Sequence, residues 1–591
     1  MIHYRIAIAD LHAHRFEVTL TVPAPAARQV LSLPVWIPGS YLVREFSRHL
    51  GQVSARQGSR EVAVHQTAKN RWEFDCSGRG ALVISYPVHA FDTSVRAAFL
   101  DAQRGFFNPS SLCLRAHGKE SLEHRIELAD LPSSWSVATG MDRLNEKADA
   151  ASESGEGGSW LFKAADFDEM VDHPFELGSF WRGEFIAGGV PHEFVVSGAL
   201  PVFDGERLLR DAQRICEAQI AFWHCHKSKP PMDRYVFLLN CVDDGYGGLE
   251  HRASTALIAA RRDLPRLGQP ETSDGYVKLL GLISHEYFHT WNVKRLRPDV
   301  FEHYDYEQEN YTELLWFFEG FTSYYDDLFL VRSGLIDEAR YLKLISQTFT
   351  QVLGAPGRKH QSVARSSFEA WTKYYRQDEN TPNAVVSYYA KGSMVAMALD
   401  LSLRSAERAS SLDELMRALW RDSGGGPISE ARILARLTEL GGEPLAQTLS
   451  TWVHGTDDLP LPPLLERMGV RWGTDKPTLA QRLGLRVAES DGALLIKQVL
   501  LEGAGLEAGL SPGDEIVACN GWRVRKLDDL VLTLDHVEPQ RLSLLVSRDQ
   551  RMLSLSLRLP LHDSAAKPVT LGPLDKAPAR AQGLRRAWLG S

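Results

Sequence analysis

The sequence predicts a multidomain α+β protein, and three observations predict it. At 591 residues the chain is too long for one hydrophobic core, and about 150 residues per domain implies roughly three to four domains. Its apolar pattern shifts from strand-like alternation to helical spacing and back again. Its composition, 44% hydrophobic and 24% charged, supplies ordinary globular cores and leaves no room for wholesale disorder.

Residues 1–185 read as an all-β domain, because short alternating runs such as HRFEVTLTV, RWEFDC, ALVISYPV and HRIELAD are separated by Pro, Gly, Asp and Ser clusters. The polar stretch 145–159, NEKADAASESGEGGS, lies between two strand-like runs and is expected to be a long, cleavage-prone hairpin loop. Residues 186–335 form an α+β segment: a helix, the strand DRYVFLLN, the Gly-rich DDGYGGLEHRAST, then helices carrying HEYFH and WFFEGFTSYYDDLFL. Residues 336–465 carry helical apolar spacing, as in SSLDELMRALWRD and SEARILARLTELGG. Short strands return over 466–562, and 563–591 is Pro-, Ala- and Arg-rich like a loosely held tail.

The balance of 66 Lys plus Arg against 75 Asp plus Glu gives a net charge of −9 without long single-sign blocks, which argues against a nucleic-acid partner held by charge. The N-terminus lacks the basic start and apolar run of a secretory signal, and no apolar stretch reaches the ~20 residues that span a bilayer. The expectation is a cytoplasmic chain with no membrane partner, or a periplasmic one had a signal been removed. Six scattered cysteines without CxxC spacing predict neither a disulfide framework nor a thiolate metal site.

The chemistry-bearing motif is LLGLISHEYFHTWN. His285 and His289 are four residues apart, so on a helix both imidazoles share one face about 6 Å apart along the axis and can hold one metal ion. Glu286 lies between them, placed to hold and deprotonate a water molecule as general base. A hydrolytic zinc site needs a third protein ligand and one open position. Glu319 is the candidate, beside an apolar stripe of Leu314, Phe318, Phe321, Tyr325 and Leu328, where burying a carboxylate calls for a compensating cation. Glu313 competes with it in the same segment, and an HExxH pattern by itself also arises by chance in helices. His224 and His226, two apart, point to different faces and are read as non-ligands.

HEYFHTWNVKRLRP followed by LWFFEGFTSYY resembles the glycyl aminopeptidase family, a branch of the gluzincin metallopeptidases. The likeness extends to PVWIPGSYLVREFSRH, DEMVDHPFELG, GGLEHRAST and SYYAKGSM, and so to most of the chain. It implies a thermolysin-like fold for the α+β segment, one zinc ion, Glu319 as third ligand, and peptide substrates cut at the N-terminus with a preference for small residues, glycine foremost. By the same resemblance Glu250 of GGLEH grips the substrate's free amine beside Gly247, Gly248 and Tyr246, with His251 as a further lining residue. Tyr389, ahead of Lys391 and Gly392, stabilises the oxyanion, with Tyr388 as the adjacent alternative. Lys294, Arg295 and Arg297, in the insertion between second histidine and glutamate, could meet a substrate carboxylate or bind Asp and Glu neighbours structurally, and the structural role is the expected one.

The segment LLIKQVLLEGAGLEAGLSPGDEIVACNGWRV resembles bacterial PDZ domains, with Gly509, Gly513 and Gly521 at turns that demand positive φ. Arg482-Leu483-Gly484-Leu485 resembles their carboxylate-binding loop, which implies capture of a peptide C-terminus by strand addition; a module that only packs against the catalytic domain or shields the cleft is the equal alternative. Two rivals remain open: a peptide-binding or chaperone-like protein with an idle metal site, which the intact Glu286 opposes, and a zinc endopeptidase, for which Glu250 is unnecessary.

Overall fold

Alternation of apolar residues builds the first third of the chain into sheets. A computed structural model describes residues 1–77, 80–144, 160–225, 229–407, 409–534, 541–559 and 566–590. The runs noted above form the strands Arg15–Val22, Arg71–Asp75, Leu82–His89 and His124–Ala129. In Arg15–Val22 the residues Phe16, Val18, Leu20 and Val22 are all buried while their neighbours are not, the signature of a sheet with one face on a core. The 145–159 segment and His226 lie outside the described residues; the strands Asp142–Arg143 and Trp160–Ala164 on either side of that segment pair antiparallel.

The chain divides into two compact units, Met1–Asn310 with Gly425–Pro427, and Tyr311–Gly424 with Ile428–Ser591. In the first unit, an eight-stranded sheet and two four-stranded sheets among the described residues enclose one core that includes Tyr4, Phe74, Tyr86, Phe107 and Phe175. A five-stranded mixed sheet follows. Its strands Val190–Ser197, Tyr235–Val242 and Ser254–Ala260 are parallel neighbours, and Tyr246–Glu250 closes one edge antiparallel to Ser254–Ala260. Parallel neighbours need a crossover, and the Gly205–Trp223 helix supplies the first of these. That helix packs on Asp274–Phe288, where the buried Gln219 amide donates to the Ser284 carbonyl at 2.8 Å.

The second unit is led by helices, including Leu315–Arg332, Glu338–Leu353, Ala390–Ser405 and Leu412–Ser423. Leu315–Arg332 is buried on nearly every side, including Trp316, Phe317, Glu319 and Tyr324, rather than along the single expected stripe. Its neighbour Ala390–Ser405 is the reason: a Cβ built on Gly320 would lie 2.5 Å from the Gly392 Cα, so the two helices touch backbone to backbone. Gly320→Ala is therefore expected to destabilise this unit by about 2 kcal/mol, the usual cost of overpacking. Calorimetry would read the loss, and a variant as stable as wild type would show that the helices part freely.

The C-terminal part holds its own core, with Leu494, Ile496, Ile516, Leu542 and Val546 buried beneath the strands Leu485–Ser490, Ala493–Val499, Glu515–Cys519, Arg541–Arg548 and Arg551–Arg558 in that order. Gly509, Gly513 and Gly521 adopt φ of 79°, 88° and 85°, as turns there require. The final residues are not a loose tail. Val569–Pro573 pairs antiparallel with Val470–Thr474, and the helix Ala579–Leu589 buries Trp588, whose indole donates to the Tyr324 hydroxyl at 2.9 Å. The Pro, Ala and Arg content conceals this anchor, because one aromatic near the end decides the packing. No helix among the described residues is long and apolar enough to cross a membrane.

Candidate active site

In the first unit the site is built on the Asp274–Phe288 helix. Ser273 caps it, its side chain accepting from the Tyr276 amide at 3.0 Å, and Asp274 sits favourably in the first turn. His285 and Glu286 fall in the last turn and His289 is the C-cap. The two rings stand nearly perpendicular, at 86°, with Nε2 facing Nε2 at 3.0 Å. His289 Nδ1 lies 2.7 Å from the Asn292 carbonyl, which only accepts, so Nδ1 carries the proton and the Nε2 lone pair is left facing His285. Two imidazole nitrogens aimed at one point, with buried carboxylates close by, are a nitrogen-and-oxygen donor set that fits a zinc-type ion.

Glu286 is 5% exposed and packs against the edge strand Tyr246–Glu250. A Cβ at position 248 would overlap the Glu286 carboxylate, so glycine there is what allows the helix and strand to approach. Glu250 ends the strand at 4% exposure, and its Oε1 has no hydrogen-bond partner among the described residues. Carboxylate oxygens of Glu250 and Glu286 and a ring nitrogen of His289 lie within 4.8 Å of one another. Tyr246 is half exposed, with Lys278 Nζ 4.1 Å from its ring centroid.

Three contributors went unassigned in the sequence. A Cβ on Gly39 of the PGSY run would lie 2.5 Å from Glu250 Oε1, so that loop lies directly on the carboxylate; its φ of +94° also requires glycine. Arg96 donates to the Gly248 carbonyl at 3.1 Å and steadies the edge strand. Asp172, in the DEMVDHPFELG run, bonds Lys294 Nζ at 2.7 Å, His251 Nδ1 at 3.2 Å and the Arg252 amide at 3.0 Å. The only signal in the sequence was the place of Gly39 and Asp172 in motif-like runs; Arg96 gave none. Lys294 and Arg295 have the structural partners expected, Arg295 donating to the carbonyls of Arg252, Thr290 and Pro231. His224 accepts from the Trp291 indole at 2.8 Å, a core role.

Burial works to raise the Asp172 carboxyl pKa, but Lys294, His251 and Arg252 together hold it well below the usual carboxylate range. A depressed folded-state value means that the unfolded chain binds the proton more tightly. The stability it contributes is therefore present above the ordinary Asp range and is lost as pH falls through the folded value. Asp172→Asn is expected to cost about 3 kcal/mol near neutrality, because it strands Lys294 in the interior. Denaturant unfolding at descending pH would show the gap between wild type and variant closing below about pH 4; a gap independent of pH would contradict the charge origin.

In the second unit Glu319 is 2% exposed on the Leu315–Arg332 helix, whereas Glu313 is exposed ahead of it. Tyr389 precedes the Ala390–Ser405 helix as its N-cap. The crossing at Gly320 and Gly392 sets Tyr389 near Glu319: burial first, and then the Glu319 charge, push the Tyr389 phenol well above its ordinary pKa. The hydroxyl thus keeps its proton at working pH and remains a donor. It lies 3.2 Å from the Tyr375 hydroxyl, and the ring stacks on Tyr374 and Tyr388, the latter fully buried.

Two family models match the chain. One, described as the peptidase M61 N-terminal domain, covers residues 3–179, and the other, described as M61 glycyl aminopeptidase, covers residues 278–395. Among solved structures, an aminopeptidase N family protein from Idiomarina loihiensis is similar at 37% identity over 100% of both chains, with a TM-score of 0.91. An M1 zinc metallopeptidase from Deinococcus radiodurans matches 78% of this chain and 95% of its own at 16% identity and a TM-score of 0.48. Aminopeptidase A of Legionella pneumophila matches 77% of this chain and 49% of its own at 13% identity, with a TM-score of 0.49. The comparison with curated proteins finds no match. With both models in order on one chain, and a relative alike over its full length, this chain belongs to the M61 glycyl aminopeptidase family of peptidases.

Proposed function

We propose that this peptidase is a zinc-dependent aminopeptidase that removes small N-terminal residues, glycine foremost, from peptides. The observation that carries the exopeptidase part is Glu250: a buried carboxylate with an oxygen left unbonded, beside the HExxH helix, asks for a cationic partner, and a substrate's α-ammonium supplies one. His285, His289 and Glu319 would hold the zinc ion, which supplies Lewis-acid polarisation of the scissile carbonyl. The third ligand rests on the family resemblance and on the burial of Glu319.

Glu286 then takes a proton from the attacking water and returns it to the leaving amine, so that one carboxylate serves as base and then as acid. Tyr389, kept protonated, donates to the carbonyl oxygen as negative charge develops there. Glu250 holds the ammonium, and the Gly247–Gly248 backbone with Tyr246 lines the first residue's place. Gly39 lying on Glu250 leaves little depth beyond the amine, which favours recognition of a chain end and excludes an extended N-terminal side.

Within the same reading, residues 479–559 are a PDZ-like module, supported by its separate core and its glycine turns. Leu485–Ser490 is an edge strand to which a peptide C-terminus could add. The test of the enzymatic reading is hydrolysis of a glycine anilide beside its N-acetylated form, each with zinc or chelator. Cleavage of the free amine alone, abolished by chelator, is expected; equal cleavage of both forms would make the enzyme an endopeptidase, and inactivity towards both would leave peptide binding as the function.

A further inference from the structure

Within the second unit a cavity of about 130 Å³ lies at the seam between the helices and the C-terminal β module. Its helical wall includes Tyr374, Val385, Val386 and Ser387; the facing wall is Arg486, on Leu485–Ser490, and Gln498, on Ala493–Val499. Tyr374 is one ring away from Tyr389, their planes 27° apart with centroids at 5.6 Å, and its hydroxyl lies 3.2 Å from Ser387 Oγ. The Glu319 charge reaches Tyr374 as it does Tyr389. The cavity therefore adjoins the tyrosine cluster to which the oxyanion role was given.

The module is held in this place by a polar clamp. Asn383, 7% exposed, donates through Nδ2 to the Val499 carbonyl at 2.9 Å and accepts from the Leu501 amide at 2.9 Å. An amide that satisfies both edges of one turn fixes a position as well as adding contact. The walls bearing Arg486 and Gln498 are thereby fixed against the helices.

Arg486, an exposed residue of its strand, differs from the acid-paired arginines of this unit. Arg332 and Arg404 pair with Asp413, and Arg358 with Asp458. Arg486 donates only to the neutral Gln498 Oε1, at 3.1 Å, no acidic residue lines the cavity, and among the described residues it makes no ion pair. Desolvation by the residues around it draws its pKa down. A guanidinium forks onto a carboxylate with two parallel bonds, and a cavity of this size admits the end of one small residue rather than a folded partner.

We propose that this cavity is a carboxylate subsite, in which Arg486, oriented by Gln498, takes a carboxylate of the bound peptide downstream of the residue being removed. The inference rests on the peptidase reading above and deepens it: the substrates become short acidic-ended peptides, and the C-terminal module becomes part of their binding surface. The carboxylate has two sources, the peptide's own C-terminus or an Asp or Glu side chain.

The test uses the full-length, zinc-loaded enzyme with glycine followed by increasing numbers of alanines, each as free acid and as C-terminal amide, and amidated peptides with Asp or Asn at successive positions. Turnover of a glycine anilide by wild type establishes the peptidase reading independently. At one length the free acid is expected to exceed the amide about tenfold in kcat/KM, mainly through KM, the effect of one charge-assisted pair. The preference is expected to collapse in Arg486→Gln and to return in part in Arg486→Lys. A preference that follows Asp in amidated peptides assigns the side chain as source; one confined to free acids assigns the terminus. Acid-to-amide and Asp-to-Asn ratios in Arg486→Gln equal to those of wild type at every length would overturn the proposal. Should Arg486→Gln not fold, Gln498→Glu, which sets an internal carboxylate against Arg486, is expected to erase the same preference. Should wild type not cleave the anilide, calorimetric binding of the acid and amide pairs to wild type and variant decides the subsite alone, again about tenfold.

Discussion

Glu286→Gln is expected to lower kcat for a glycine anilide by about 10³-fold, at the middle of the range for removing a positioned general base. The amide keeps the volume and the packing against Gly248, where even a methyl group would collide with the side chain. What it loses is the capacity to accept and return the proton. KM is expected to change little, since in the proposed reading the amine is anchored by Glu250. Zinc content is expected to stay at the wild-type level, because His285 and His289 still face each other at 3.0 Å. Metal analysis beside steady-state kinetics separates the two effects: a variant that retains both zinc and wild-type kcat would remove Glu286 from the chemistry.

Glu250→Gln is expected to reduce kcat/KM for free-amine substrates by about 10²–10³-fold, the cost of truncating one member of a buried charge pair. The carboxylate sits under Gly39 with one oxygen unbonded, so the neutral amide leaves an ammonium ion desolvated without a counter-charge. The N-acetylated glycine anilide is expected to be cleaved no faster by the variant than by wild type, since the space beyond the amine is still closed by the Gly39 loop. Rates for the free and acetylated forms, compared in wild type and variant, test this. Equal loss on both would show that Glu250 supports the metal centre rather than recognising the amine.

The helix bearing His285, Glu286 and His289 was legible because its spacing carries the geometry: four residues per step on a 3.6-residue turn place the two imidazoles on one face whatever surrounds them. The strand ending in Glu250 was legible through its glycines, and its edge position shows why they are needed. Glu319 was preferred to Glu313 on the family resemblance alone; their difference in burial, one at 2% exposure and the other exposed, is a tertiary fact that their shared stretch of sequence does not encode. Gly39, Arg96 and Asp172 were invisible as contributors, since each meets the site across more than 75 residues of chain. The C-terminal anchor was misread because polar composition outweighed a single Trp588.

By itself the sequence determined the succession of strand-rich and helix-rich segments and the placing of His285, Glu286 and His289 on one helical turn, since both follow from periodicity along the backbone. Tertiary structure alone decided which loop lies on Glu250, which charges hold Asp172, how closely Gly320 meets Gly392, and that Arg486 faces a cavity lined by no acidic residue among those described. Each of these is a contact between residues far apart in the chain, settled by the packing of whole elements, and no local pattern encodes it.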